Sequence, residues 1–221
     1  MKQLFCLHLG MKYLYLALGD SYTIGEQVLP EENFPNQTVS LLNKTAGGVE
    51  NHRQGYSFTP PEIIATTGWT TDELYASIDA AGISKQYDIV SLLIGVNNQY
   101  RGRTLNNFEI EFEHLLQRAI QFAGNKSDHV IVLSIPDWGV TPFAEGRDRK
   151  KIADEIDAFN LVCKVAAKKF NTHFIDITSA QRSEGQNEEF LAADKLHPSG
   201  KEYANWAAKL AVEIRSILQL S

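Results

Sequence analysis

Short apolar runs alternate with longer segments of helical periodicity from Tyr13 to Leu218. The clearest run, Tyr87–Ile94, is apolar almost throughout. A strand wet on one face alternates polar and apolar residues, so a continuous run points to a strand covered on both faces, as at the centre of a parallel sheet. Further strands are predicted at residues 12–18, at His129–Ile135 and at His173–Ile177, with a weaker one around Ile63–Thr66. Helices fall between them. One runs from Phe34 to about Ala46, and another opens on the capping box Thr70-x-x-Glu73 and continues to about Ala81. Three more place their apolar residues on one face: Phe108, Phe112, Leu115, Leu116 and Ala119; then Ile152, Ile156, Phe159, Cys163, Ala166 and Phe170; then Trp206, Leu210, Ile214, Ile217 and Leu218. The last is entered through Pro198 and a second box, Ser199-x-x-Glu202. This alternation predicts an α/β fold, a parallel sheet with helices on both faces. Ligands in such folds bind at the carboxyl ends of the strands, so the loops after Leu18, Ile94 and Ile135 are where chemistry is sought.

With 221 residues, 43% of them hydrophobic, the chain has enough core for one unstapled domain. Disordered, collagenous and disulfide-scaffold classes are excluded on the same grounds. No Pro- or Ser-rich linker and no repeat divides it. Lys and Arg number 21 against 27 acids, a formal charge of -6. The basic residues are scattered or interleaved with acids, as in Arg147-Asp148-Arg149-Lys150-Lys151, which reads as a solvated helix end. Nucleic-acid binding through phosphates needs a basic stripe, so no nucleic-acid partner is expected. Cys6 and Cys163 have neither metal nor redox spacing, and two free thiols in a reducing compartment are expected. The apolar run Leu4–Leu7 is interrupted by His8 and Lys12, and no small-residue cleavage site precedes the first strand. No run approaches the ~18 apolar residues of a membrane span. The expectation is a cytoplasmic protein in which residues 1–10 are an extension, Met11 is an equally sensible start, and residues 11–221 form a single domain. Oligomeric state is not encoded legibly.

Four short blocks carry chemistry. Gly19-Asp20-Ser21-Tyr22-Thr23-Ile24-Gly25 follows the first strand, which puts a serine hydroxyl on a tight turn facing the ligand crevice. Asp194-Lys195-Leu196-His197-Pro198 places an acid and an imidazole within one turn of each other. A serine hydroxyl is a poor nucleophile until a base takes its proton, and histidine has the matching pKa. An acid must then hold the ring in one tautomer. Gly95-Val96-Asn97-Asn98-Gln99 sets an uncharged amide donor at the end of the most apolar strand, suited to a developing oxyanion. Thr67-Gly68-Trp69-Thr70-Thr71 offers a second donor, the Gly68 N–H beside a helix N-terminus. The serine, Asp194–His197 and Gly68 blocks, each taken alone, are explained at least as well by a helix cap or a turn.

Together, and in this order, the blocks resemble those of the SGNH (GDSL-type) serine hydrolase family: Gly19-Asp20-Ser21, Gly68, Gly95-x-Asn97 and Asp194-x-x-His197. The resemblance runs from residue 19 to residue 197, and the ordered set is specific where each motif is short. It implies a three-layer α/β/α sandwich with a central parallel sheet, flavodoxin-like in arrangement, and an esterase acting through an acyl-enzyme without metal or cofactor. Ser21 would be the nucleophile, His197 the base and then the acid, and Asp194 the group orienting His197. The oxyanion hole would comprise the Ser21 N–H, the Gly68 N–H and the Asn97 side chain. Tyr22 stands where leucine is expected and Asn98 where aspartate is common, departures that bear on substrate preference.

Candidate pocket residues are Tyr22, Trp69, Trp138 and Phe143. The last two sit in the loop Pro136–Arg147, where they either line the pocket or anchor the loop. His8, His52, His114, His129 and His173 have no partner at ligand spacing. Asp20 is assigned to its turn, and Asp176 is farther in sequence from His197 than Asp194 is. Two other functions share these residues. A flavodoxin-like protein would cradle a phosphate or flavin in the 19–25 turn, and a metal-dependent phosphoesterase would use Asp20, Asn97, Asp194 and His197. The Asp-x-x-His pair favours the hydrolase, because a flavin site has no need of it. The expected partner is a small, neutral ester.

Overall fold

The structure, a computed structural model, describes residues 10–44 and 55–220. Its strands are β1 (Met11–Tyr13), β2 (Tyr15–Gly19), β3 (Tyr56–Phe58), β4 (Glu62–Ala65), β5 (Ile89–Leu93), β6 (Val130–Leu133) and β7 (His173–Ile175). Its helices are α1 (Ser21–Ile24), α2 (Phe34–Leu42), α3 (Thr71–Ala81), α4 (Val96–Tyr100), α5 (Leu105–Phe122), α6 (Arg149–Phe170), α7 (Thr178–Glu184) and α8 (Gly200–Ile217). Five strands pair in parallel in the order β4-β2-β5-β6-β7. Every residue of β2, β5 and β6 is buried, which is why those segments read as continuous apolar runs. The one serine in β5, Ser91, pairs with Ala17 in the ladder and is satisfied by Tyr15, two positions along β2, whose hydroxyl lies 2.8 Å from the Ser91 Oγ.

Travel along the sheet reverses after β4, so right-handed crossovers put α2 on one face and α3, α5 and α6 on the other. Contacts agree: α2 packs on α8, while α3 packs on α5 and α5 on α6. The apolar stripe of α5 is wholly buried, as is that of α6 from Ile152 to Ala166 and that of α8 from Trp206 to Ile214. Each such Leu, Ile or Phe contributes about 1.5–3 kcal/mol of burial. Cys163 sits inside this layer as a free, buried thiol, its pKa pushed up by burial. No helix among the described residues is long and apolar enough to cross a membrane.

Three local departures from the sequence reading have physical causes. The first strand is not continuous over 12–18 but breaks at Leu14. Its N–H donates to the Asp88 carboxylate at 2.7 Å, and its carbonyl accepts from Asp88 N–H and Ile89 N–H. The chain thereby changes partners, and β1 pairs with β3 in a separate two-stranded sheet. The second helix stops at Leu42, since the side chain of Asn43 turns to bond both backbone groups of Phe58. The box at Ser199 is half formed. Ser199 Oγ accepts from Glu202 N–H, but the Glu202 carboxylate serves Trp206 Nε1 at 2.8 Å instead of returning to the cap. The box at Thr70 closes as expected, with Thr70 N–H donating to Glu73 at 2.8 Å. Residues 1–9, which carry Cys6, His8 and nearly all of the expected extension, lie outside the described residues, as do Ala46 and His52.

Candidate active site

In chain order the five-stranded sheet reads 2-1-3-4-5, the flavodoxin-like arrangement, whose crevice opens where the crossovers depart in opposite directions. That point lies between the adjacent strands β2 and β5. Ser21 follows β2 and Asn97 follows β5, so the switch point itself brings these two blocks together.

Ser21 opens α1 directly behind Asp20, whose Oδ1 accepts from Tyr22 N–H at 3.0 Å and so sets the turn. His197 arrives from the far end of the chain on a loop pinned by the Leu191–Pro198 bridge and by Ala192 N–H to His197 O. Asp194 divides its carboxylate between two tasks. Oδ1 accepts the backbone N–H groups of Leu196 and His197, both at 3.0 Å, and Oδ2 meets His197 Nδ1 at 2.6 Å. Burial acts to raise the pKa of Asp194, but the bonds from the His197 ring, from its N–H and from the Leu196 N–H outweigh it. The carboxyl is held below its ordinary value, and Asp194 is an anion at neutral pH. The other ring nitrogen, Nε2, lies 3.0 Å from Ser21 Oγ. Tyr22, fully inside, packs its ring against the imidazole with centroids 5.2 Å apart.

The amide donors converge from two loops. Gly68 adopts φ +86°, a left-handed conformation that a side chain resists, and it borders the same cleft as Ser21. Among the described residues neither the Gly68 nor the Ser21 N–H is taken by an acceptor. Asn97 Nδ2 donates one hydrogen to Trp69 O at 2.9 Å, which fixes the amide and leaves the other hydrogen for the cleft. Behind it, Gly95 has φ +129°, and a Cβ there would come within 2.7 Å of Phe108 and Ile135, so only glycine lets α4 start here. Asn98 is buried and bonds both Thr71 N–H and Thr71 Oγ1, tying α4 to the first turn of α3.

The cleft has a volume of about 210 Å³. Of the expected pocket residues, Tyr22, Trp138 and Phe143 line it, while Trp69 does not. Standing just before the α3 cap, Trp69 lends the site its carbonyl and packs its half-buried side chain against the core. Val96, Tyr100 and Leu196 also line the cleft and were not singled out in the sequence. Each lies within three residues of Asn97 or His197, and that adjacency was the available signal. Trp138 is held by Nε1 donating to Gln99 Oε1 at 2.8 Å, and Gln99 Nε2 donates in turn to Glu155. Asp20 Oδ2 is buried without a partner, and burial pushes the pKa of this carboxyl up to about 7. Among the described residues no three His, Cys, Asp or Glu side chains gather as a metal cluster. His129 instead bonds Asp88 O, and His173 pairs with Glu213.

Comparison with known proteins bears on this site. The sequence model of the GDSL-like lipase/acylhydrolase family matches residues 17–204. An acetylxylan esterase from Geobacillus stearothermophilus superposes with a TM-score of 0.67 at 21% identity, over 94% of this chain and 96% of that one. A lipase/acylhydrolase from Enterococcus faecalis gives 0.65 at 21%, over 96% and 97%. A psychrotrophic esterase from Pseudoalteromonas sp. gives 0.65 at 15%, over 94% and 99%. At these identities the likeness is one of fold. No curated protein matches the sequence.

Proposed function

Because the chain belongs to the GDSL-like lipase/acylhydrolase family and is a hydrolase of ester bonds, we propose that it cleaves carboxylic esters through an acyl-enzyme on Ser21. The observation that carries this reading is the unbroken chain from Ser21 Oγ to His197 Nε2 and from His197 Nδ1 to Asp194 Oδ2, at 3.0 and 2.6 Å.

In this reading Ser21 Oγ attacks the ester carbonyl as its proton passes to His197 Nε2. Asp194 keeps Nδ1 protonated and balances the imidazolium that forms. The carbonyl oxygen becomes an anion held by the Ser21 N–H, the Gly68 N–H and Asn97 Nδ2. The intermediate collapses, His197 returns the proton to the leaving alkoxide, and the alcohol departs. Water, deprotonated by His197, then attacks the acyl-enzyme, and Ser21 regains its proton as the acid leaves. A phosphate-cradling turn would leave the His197–Asp194 pair without a task.

At about 210 Å³ the cleft is smaller than the roughly 300–1,000 Å³ sites that take drug-sized ligands. Its walls include Tyr22, Val96, Trp138 and Phe143, which supports a compact, uncharged acyl group. The test is an alkylphosphonate probe followed by peptide mapping, beside p-nitrophenyl esters of increasing chain length and acetylated sugars. The Pseudoalteromonas esterase is described as inhibited by monoethylphosphonate, so the probe suits this fold. Label on Ser21 and hydrolysis of the short esters are expected. Label elsewhere, full activity in Ser21→Ala, or activity abolished by a chelator overturns the reading.

A further inference from the structure

Two of the proposed oxyanion donors sit on different segments, the Gly68 turn and α4, and a side chain from the end of α4 holds the Gly68 turn. Arg101 is the C-cap of α4, the one-turn helix that carries Asn97. Its Nη2 donates to Gly68 O at 2.6 Å. Its Nη1 lies 3.3 Å from each carboxylate oxygen of Glu73. Glu73 is itself tied to the start of α3 through Thr70 N–H. The next carbonyl along, Trp69 O, accepts from Asn97 at 2.9 Å. Consecutive carbonyls of the Gly68 turn are thus held from α4, one by the Asn97 amide and one by the Arg101 guanidinium.

Gly68 needs such a restraint. At φ +86° a glycine has no side chain to hold it, and a neighbouring basin is open to it at little cost. Rotation about its φ or ψ re-aims the N–H on one side and the carbonyl on the other. A hydrogen bond from a charged donor is short and about twice as strong as a neutral one. Arg101 therefore locks the carbonyl side of Gly68, while the N–H side stays free to face the cleft.

We propose that Arg101 is a positioning residue for the oxyanion site, holding the Gly68 N–H in register with Asn97 Nδ2. The proposal rests on reading those two groups as oxyanion donors. Arg101 touches neither substrate nor Ser21 in this scheme and acts through the Gly68 turn. Its side chain and that of Glu73 are both more than a third exposed, at 44% and 41%. Exposed pairs of this kind contribute little to stability. Loss of Arg101 should therefore be read in turnover and not in melting temperature.

The experiment compares wild type, Arg101→Met, Arg101→Lys and Arg101→Gln on a short-chain p-nitrophenyl ester, with an alkylboronic acid as the tetrahedral mimic. For Arg101→Met, kcat should fall about 10- to 100-fold with KM within about twofold, since a donor displaced by a fraction of an ångström stabilises only the transition state poorly. The inhibition constant of the boronic acid should rise in parallel, and Arg101→Lys, which can still reach Gly68 O, should recover part of both. Unchanged kcat in Arg101→Met overturns the proposal, as does a loss of kcat without weaker boronate binding, or one confined to KM. If Arg101→Met melts early, Arg101→Gln, polar but shorter and without the charge that holds Gly68 O, decides on the same criteria. A Ser21→Ala control separates the two readings. Activity retained there defeats the serine mechanism itself, whereas an inert Ser21→Ala beside a fully active Arg101→Met defeats only the role of Arg101.

Discussion

His197 Nε2 and Ser21 Oγ stand 3.0 Å apart although 176 residues separate them in the chain. Ser21 is fixed by a central strand, but His197 depends on a loop whose geometry is organised by Asp194. Replacing that carboxylate by an amide divides its two tasks. In Asp194→Asn the carbonyl oxygen can still accept from Leu196 and His197 N–H, leaving the NH₂ to face Nδ1. The imidazole is then driven to the tautomer protonated at Nε2, which cannot take the Ser21 proton. We expect kcat to fall by about 10⁴ on a p-nitrophenyl ester, with a melting temperature close to wild type. A loss below tenfold would remove Asp194 from the mechanism.

Asp20 is wholly buried with one carboxylate oxygen unpartnered, and its pKa is raised to about 7 from an ordinary value of 3.8. The folded protein therefore binds more protons than the unfolded chain between those values. Stability contributed by this group is fully present below pH 3.8 and is lost as pH rises through about 7. Asp194 acts in the opposite sense: its pKa is lowered, so its contribution is present above the ordinary carboxylate range and fades as pH falls. In Asp20→Asn the decline in melting temperature between pH 5 and 8 should flatten. Scanning calorimetry at four or five pH values measures it, and an unchanged slope would contradict the raised pKa.

The two loops that supply amide donors meet through Asn97 Nδ2 and Trp69 O. Asn97→Ala removes the side-chain donor and frees that carbonyl together. Loss of one oxyanion donor costs about 10²–10³ in kcat, and that is the fall we expect, with KM nearly constant. Asn97→Asp should fare no better, because an acceptor would then face the oxyanion. A fall appearing in KM alone would assign Asn97 to substrate binding.

What could be read from sequence follows from how local each signal is. The sheet was legible because β2, β5 and β6 are buried on both faces and so are apolar almost throughout. Ser21, Asn97 and the Asp194–His197 pair were legible as candidates because each stands in a short block whose residue types are chemically unusual together. The break at Leu14 was not, since it depends on Asp88, 74 residues away. Nor was β3, three residues long and without periodicity. The cleft walls were readable only in part. Trp138 and Phe143 stand in an aromatic loop beside a strand end, but whether Trp69 faces the cleft or the core depends on how the chain enters α3, which spacing does not reveal.

Phe143 and Trp138 touch the same cleft with different support, which separates specificity from stability. Phe143 is 43% exposed and meets Trp138 edge-on, with centroids 6.1 Å apart. Trp138 is 4% exposed, and its indole N–H is bonded to Gln99. Truncating Phe143 removes a wall without opening a cavity in the core. Phe143→Ala should therefore shift the preferred acyl chain of p-nitrophenyl esters to greater length, through lower KM for the longer esters, with little change in melting temperature. Trp138→Ala removes a buried aromatic and leaves Gln99 Oε1 unpaired, which should cost about 3–5 kcal/mol in denaturant unfolding, the usual range for a buried Phe or Trp cut to alanine. An unaltered chain-length profile in Phe143→Ala would place the acyl group elsewhere in the cleft and leave Phe143 on the alcohol side. Varying the leaving alcohol at constant acyl chain then checks that second assignment directly.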